Sequence, residues 1–186
     1  SGASLLGPDE KTLLMAALIS DTGGFVYSNT SARSFTIASE LMHRDLDLRQ
    51  ITYRLFHQSS QAKLRLKGYF CTKARFSCSD RVVSASVDPA TLDRFQATDD
   101  DLDGMINELK NVAGVDLAMI LRVQADGQIR VNLRTSTAVD ASQLAARFGG
   151  GGHPRAAGMT LAGLSLAEAE KLLIEKAGDA LSTPCA

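Results

Sequence analysis

No charge of either sign dominates this sequence. Twenty Lys and Arg stand against 21 Asp and Glu, a formal net charge of -1, so the broad basic field that holds duplex nucleic acid is missing and an anionic ligand must be met by a local site. Cysteine is scarce as well. Cys71, Cys78 and Cys185 are odd in number and have no CxxC spacing, which argues against a disulfide framework or a zinc knuckle and fits a reducing cytoplasm best. No apolar run approaches the roughly 18 residues of a membrane span, and no basic-then-apolar leader opens the chain. A cytoplasmic protein with no membrane segment is expected. The first residues, Ser1, Gly2 and Ala3, lack an initiating Met, which suggests a piece of something longer. The remaining composition is ordinary: 186 residues, 45% of them apolar, allow one medium domain or two small ones with a buried core.

The patterning changes along the chain. Acidic residues followed by a dense apolar stretch predict a helix from Asp9 that stops at Asp21-Thr22-Gly23-Gly24, with two further helices over about 31–43 and 47–56. Residues 63–70 keep the helical period. From Arg75 the period becomes two, and Ser79-Asp80-Arg81 separates two apolar alternations, which predicts a hairpin closed by Pro89. A helix over 102–112 then leads to strands 116–124 and 128–134, joined by Asp126-Gly127, a strong hairpin signal. Asp140 should cap a short helix ending at Phe148. A brief strand is expected at 159–161, and Ser165 with Glu168 forms a capping box for the last helix. The fold class is α/β: a helical part over 1–58, a connector helix over 59–70, and a smaller α+β part with a mixed sheet over 71–186.

Four consecutive glycines, Gly149 to Gly152, interrupt this order. Such a run costs backbone entropy that a special conformation or a close ligand would justify, and successive bare N–H groups can cradle an oxyanion. A flexible loop is the competing reading of the glycines alone. His153 and Arg155 follow immediately. There is no G-K-[ST] ending and the run follows a helix, so neither a P-loop nor a dinucleotide fingerprint is present. The segment VNLRTS ends a strand on Arg134, Thr135 and Ser136, a guanidinium and two hydroxyls able to hold a phosphate, or simply an exposed strand terminus. Asp21 stands where the helix dipole opposes it. A metal ion would explain that placement, and so would a turn in which Asp bonds its own backbone. Asp99, Asp101, Asp103 and Gly104 imitate half of an EF-hand loop, but Lys110 occupies the place of the bidentate Glu, so they read as first-turn charges. His43 and His57 have no metal-ligand spacing, and no nucleophile elbow appears.

ALISDTGGF at 17–25, VNLRTS at 131–136 and FGGGGHPRAAG at 148–158 together resemble, in order and separation, the later motifs of the DHH phosphoesterase superfamily. The form is similar to that of bacterial bifunctional oligoribonucleases that also dephosphorylate 3'-phosphoadenosine 5'-phosphate. The resemblance implies that 1–58 is the end of a catalytic domain and 71–186 a DHH-associated substrate-binding domain. It implies two manganese ions in the intact enzyme, with Asp21 among their ligands and so a catalytic residue, and substrate binding by Arg134, Ser136, Gly150, Gly151, Gly152 and His153. Two metals would activate water while the second domain fixes the phosphate. The implied partners are short RNA or a small nucleotide, with a homodimer left open.

The Asp-His-His triplet that names the superfamily is absent from the sequence. The expectation is therefore an active phosphoesterase when whole and an inactive piece here. A cyclic-dinucleotide phosphodiesterase or exopolyphosphatase of the same superfamily is the alternative. A non-catalytic nucleotide- or RNA-binding module is the alternative of another kind, since a related glycine-rich domain ends alanyl-tRNA synthetases.

Overall fold

The computed structural model describes residues 6–136 and 138–183. It divides into two compact units with the boundary after Ser59. The first holds three helices, α1 (Pro8–Asp21), α2 (Ala32–Leu41) and α3 (Leu48–Phe56). Glu10 reaches back to the Gly7 amide at 2.6 Å, and Ser31 and Asp47 accept from the amides of Ser34 and Gln50, so each helix start has a side chain meeting one of its free amides. Met15, Ile19, Leu41 and Leu46 form its buried cluster.

The second unit is built on a six-stranded mixed sheet in the order β1-β2-β3-β4-β6-β5. It opens with α4 (Gln61–Lys73), which leads into β1 (Arg75–Ser77) and β2 (Val82–Val87). A crossover through α5 (Pro89–Phe95), α6 (Asp99–Leu102) and α7 (Met105–Lys110) returns to β3 (Leu117–Val123). β3 lies parallel to β2, the pairing that such a crossover makes available. β4 (Ile129–Thr135), α8 (Ala141–Ala146), β5 (Gly151–His153), β6 (Ala156–Leu161) and α9 (Leu166–Leu181) complete it, and every pairing other than β2 with β3 is antiparallel.

The expected helix over 102–112 is interrupted. Gly104 has φ +84°, which no helix interior accepts, so α6 ends at Leu102 and α7 begins at Met105. The expected loop at the glycine run is in part the edge strand β5, and β6 begins three residues before the expected 159. Of the cysteines among the described residues, Cys78 is buried and Cys71 is a free, exposed thiol. Among the described residues, no helix is long and apolar enough to cross a membrane.

Helices cover the sheet unequally. On one face, α8 and α9 pack over Leu117, Met119 and Leu121 of β3 and Ile129, Val131 and Leu133 of β4. On the other, α4, α5 and α7 pack over Val83, Ala85 and Val87 of β2 and Ala118 and Ile120 of β3. β2 and most of β3 are therefore buried on both faces, and their sequences read as nearly unbroken small and apolar runs. β4 alternates instead: Ile129, Val131, Leu133 and Thr135 are buried while Arg130 and Asn132 are exposed and Arg134 is half-buried. That alternation marks a strand packed into the core on one side and only bordered, by α7, on the other.

Leu173 of α9 is fully buried against the β3–β4 layer. Leu173→Ala should lower the unfolding free energy by about 2–5 kcal/mol, the usual cost of such a cavity, read from the denaturant midpoint of the second unit.

Candidate functional site

The open face of β4 continues across β6 to β5. Arg134 pairs with Ala156, and Ala156 pairs with His153. Directly paired residues in an antiparallel sheet project from the same face, so Arg134 and His153 share one row, two strand spacings or roughly 10 Å apart, with only an alanine methyl between them. The next row reads Asn132, Gly158, Gly151. The floor between the arginine side and the histidine side is thus made of Ala156, Gly158 and Gly151, a shallow trough open to solvent. Thr135 belongs to the opposite face. It is buried, and its hydroxyl donates to the Pro154 carbonyl at 2.9 Å, so of the expected guanidinium and two hydroxyls only Arg134 faces the trough directly.

Ser136 is held beside the end of β4. Its Oγ donates to Asp116 Oδ1 at 2.5 Å, and Asp116 Oδ2 accepts from Arg81 Nε at 2.7 Å. The Ser136 amide donates to the Asp116 carbonyl at 2.8 Å, and Arg155 Nη1 donates to the Ser136 carbonyl. The strand end that carries Arg134 is thereby tied both to the start of β3 and to the turn between β5 and β6. The Ser136 hydroxyl, followed by Arg81, holds the Asp116 carboxyl below the usual carboxylate range.

The glycine run is explained position by position. Gly149 has φ +73° and its amide donates to Ala146, closing α8 in the left-handed conformation that glycine favours at a helix end. The Gly150 amide donates to the Ala145 carbonyl at 3.0 Å, which commits it to the helix end and removes it from an anion cradle. A Cβ on Gly150 would stand 2.3 Å from the Gly158 carbonyl oxygen, and one on Gly152, at φ +145°, would stand 2.5 Å from that of Ala156. Both are glycines because β5 lies hard against β6. Gly151 differs, since a Cβ there meets nothing within 4 Å and φ is not in the left-handed region.

Asp21 ends α1, exposed, and Asn29 Nδ2 donates both to its carbonyl and to its Oδ2 at 3.1 Å. Thr22, Gly23, Gly24 and Phe25 then reverse the chain, with Thr22 Oγ1 donating to Leu18 at 2.7 Å and accepting from the Phe25 amide. Gly23, Gly24 and Phe25 all have positive φ. The Thr-Gly-Gly turn is therefore explained by backbone geometry. No group of three or more His, Cys, Asp or Glu among the described residues could hold a metal ion, so one carboxylate beside one amide does not fit a two-manganese centre by itself.

Residues that the sequence did not single out also line this face. Arg122, Arg130 and Asn132 border a cavity of about 230 Å³ that reaches Arg134. They could be found only after β4 and β3 were placed in register, because polar residues at alternate positions are ordinary on an exposed strand.

The fold and this trough define an α/β domain with a basic, glycine-floored sheet face. The chain belongs to the DHHA1 domain family, which matches residues 80–183. Over 172 residues it is 30% identical to the bifunctional oligoribonuclease and PAP phosphatase NrnA of Thermus thermophilus, a match covering 92% of this chain and 51% of that protein. It is 27% identical over 170 residues to the A-adding tRNA nucleotidyltransferase of Aquifex aeolicus, covering 90% of this chain and 20% of that one. The crystal structure of an exopolyphosphatase-related protein from Bacteroides fragilis superposes with a TM-score of 0.85 at 24% identity, covering 97% of this chain and 54% of that one. The chain spans about half the length of the NrnA relatives it matches.

Two outcomes follow from the site's construction. Gly150→Ala and Gly152→Ala should lower the melting temperature, whereas Gly151→Ala should leave it unchanged, measured by calorimetry on purified variants. Because Asp116 titrates lower when folded than when unfolded, its contacts contribute stability above about pH 4, the ordinary carboxylate value, and that contribution is lost as pH falls through the lowered folded value. Asp116→Asn should be less stable than the parent at pH 7 and converge with it in acid, read from chemical unfolding at a series of pH values.

Proposed function

We propose that the chain supplies the substrate-phosphate-binding part of a manganese-dependent phosphoesterase that hydrolyses short oligoribonucleotides, 3'-phosphoadenosine 5'-phosphate, or both. The observation that carries this reading is the single row containing Arg134 and His153 over a floor of Ala156, Gly158 and Gly151. A planar guanidinium on one side and an imidazole on the other can take a phosphate between them, and the bare floor lets it approach the backbone. The similarity to oligoribonuclease and PAP phosphatase relatives over nearly the whole chain supports the choice of substrate class. Ser136 acts at one remove, by fixing the strand end beside Arg134.

The first unit is proposed as the end of a larger catalytic domain. Its buried cluster is small for its length, and Leu13, Val26 and Phe35 are exposed, an arrangement suited to being covered. In the complete enzyme Asp21 would be one ligand of a manganese centre that activates water. This chain's own contribution is to bind and orient the phosphate, which lowers the barrier by fixing the reacting geometry. A second reading, a nucleotide- or RNA-binding module without hydrolysis, is favoured by the similarity to a tRNA nucleotidyltransferase. It differs in predicting the same phosphate site with no dependence on Asp21 in any longer form.

Calorimetric titration of AMP into this chain should show binding that Arg134→Ala and His153→Ala each weaken by about ten- to a hundredfold, the value of one charge-assisted contact. Arg134→Lys should weaken it too, because an ammonium cannot replace a planar fork. Unchanged affinity in both alanine variants would remove the phosphate site. Incubation of the chain with manganese and a short oligoribonucleotide should give no turnover, and hydrolysis abolished by Asp21→Ala would show that the metal centre is complete here.

A further inference from the structure

Four residues before Arg134, on the same face of β4, stands Arg130, and its cross-strand partner on β3 is Arg122. Like charges directly opposite in an antiparallel pair repel, so this pairing is unfavourable unless an anion sits between or beside the two guanidiniums. The protein supplies one. Asp99 Oδ1 lies 2.5 Å from Arg122 Nη2, and Arg122 is the first cause holding the Asp99 carboxyl below its ordinary range. That leaves the site short of negative charge. Arg130 makes no ion pair within 4 Å among the described residues, its charge reaching Asp99 only at longer range, and Arg122 Nε is buried with no hydrogen-bond acceptor. The cavity these groups border also reaches Asn132, Arg134 and Asp103, so its lining carries three guanidiniums against two carboxylates.

The cavity, at about 230 Å³, is smaller than the roughly 300–1,000 Å³ that encloses a drug-sized ligand. It has room for a phosphate group, and its lining of guanidiniums suits one. The cavity is lined by Arg134 but not by His153, so a phosphate within it is a different one from the phosphate held between Arg134 and His153. Between Arg130 and Arg134, Asn132, beside Gly158, offers an amide over a bare floor where a sugar can lie.

We infer that Arg130 and Arg122 form a second phosphate subsite that takes the next phosphate along a nucleotide chain whose first phosphate lies at Arg134 and His153. The inference rests on the proposed phosphate site and extends it, making the β4 face a track that favours an oligonucleotide over a mononucleotide. Asp99 competes with the incoming phosphate for Arg122.

Titration of AMP, adenosine 3',5'-bisphosphate and the dinucleotide pApA into the whole chain tests this. The parent should bind pApA at least about tenfold more tightly than AMP, the value of one charge-assisted contact. Arg130→Gln and Arg122→Gln should abolish that difference without changing AMP affinity, and Asp99→Asn should strengthen pApA binding alone. The bisphosphate separates the two sources of a second phosphate. It should gain as pApA does if any second phosphate suffices, and should match AMP if a phosphodiester is required. Arg130→Gln relieves a like-charge pair, so its melting temperature should not fall, and a fall would mark Arg130 as a structural residue. Equal affinity for AMP and pApA in the parent, or equal weakening of both by Arg130→Gln, overturns the subsite. If Arg134→Ala weakens neither ligand, the first phosphate site is what fails, and the Arg130 comparison still reads independently.

Discussion

The burial of one face of β4 in the layer beneath α8 and α9, with α7 only bordering the other, is the constraint from which the rest of the site follows. Leu117, Met119, Val131 and Leu133 bury that one face, and burial at this scale contributes about 1.5–3 kcal/mol per large side chain. The register of β4 is consequently fixed. A slip of one residue would exchange Val131 and Leu133 for Asn132 and Arg134 in the core, so the same force that packs the leucines holds Arg130, Asn132 and Arg134 on the open face.

A second constraint aligns the two sides of the trough. Arg134 and His153 are 19 positions apart in sequence and come into one row only because β6 lies between them in register. Asp116 holds this alignment at its end. Its carboxylate takes both the Ser136 hydroxyl and Arg81, while Arg155 ties the β5–β6 turn to the Ser136 carbonyl and the Thr135 amide donates to the Arg155 carbonyl. The partly exposed Arg81–Asp116 pair need not be strong for this purpose. Its geometric effect is to stop the last residues of β4 from fraying, which would let Arg134 wander.

Local signals were legible in the sequence and long-range ones were not. Asp126-Gly127 gave the β3–β4 hairpin and the Ser165–Glu168 capping box gave α9, because each is decided within a few residues. The alternation in IRVNLRT showed a strand with one wet face. The parallel pairing of β2 with β3 could not be read, since it is made across a three-helix crossover. β5 was hidden for a different reason. Glycine has little intrinsic strand preference, so Gly151 and Gly152 become a strand only because β6 is there to pair with them. Of the site, Arg134 and His153 were visible as residue types at suggestive positions. Arg122, Arg130 and Asn132 acquire meaning only from register, and the Thr135 hydroxyl, which the sequence offered beside Arg134 as one able to hold a phosphate, turns to the other face.

The glycine run also shows why a structural and a functional account of one motif need not compete. Gly149 closes α8, and Gly150 and Gly152 let β5 lie against the Gly158 and Ala156 carbonyls, so three of the four are required by folding whatever the protein binds. The bare floor lies on the other face of the same strands, where Gly151 and Gly158 leave the middle row without a side chain beside Asn132. Gly151 is the exception, because neither its backbone conformation nor its neighbours exclude a Cβ. In a fold that already spends backbone entropy on three glycines, a fourth with no steric reason to be there is the position at which folding stops accounting for the sequence and close approach of a ligand begins to.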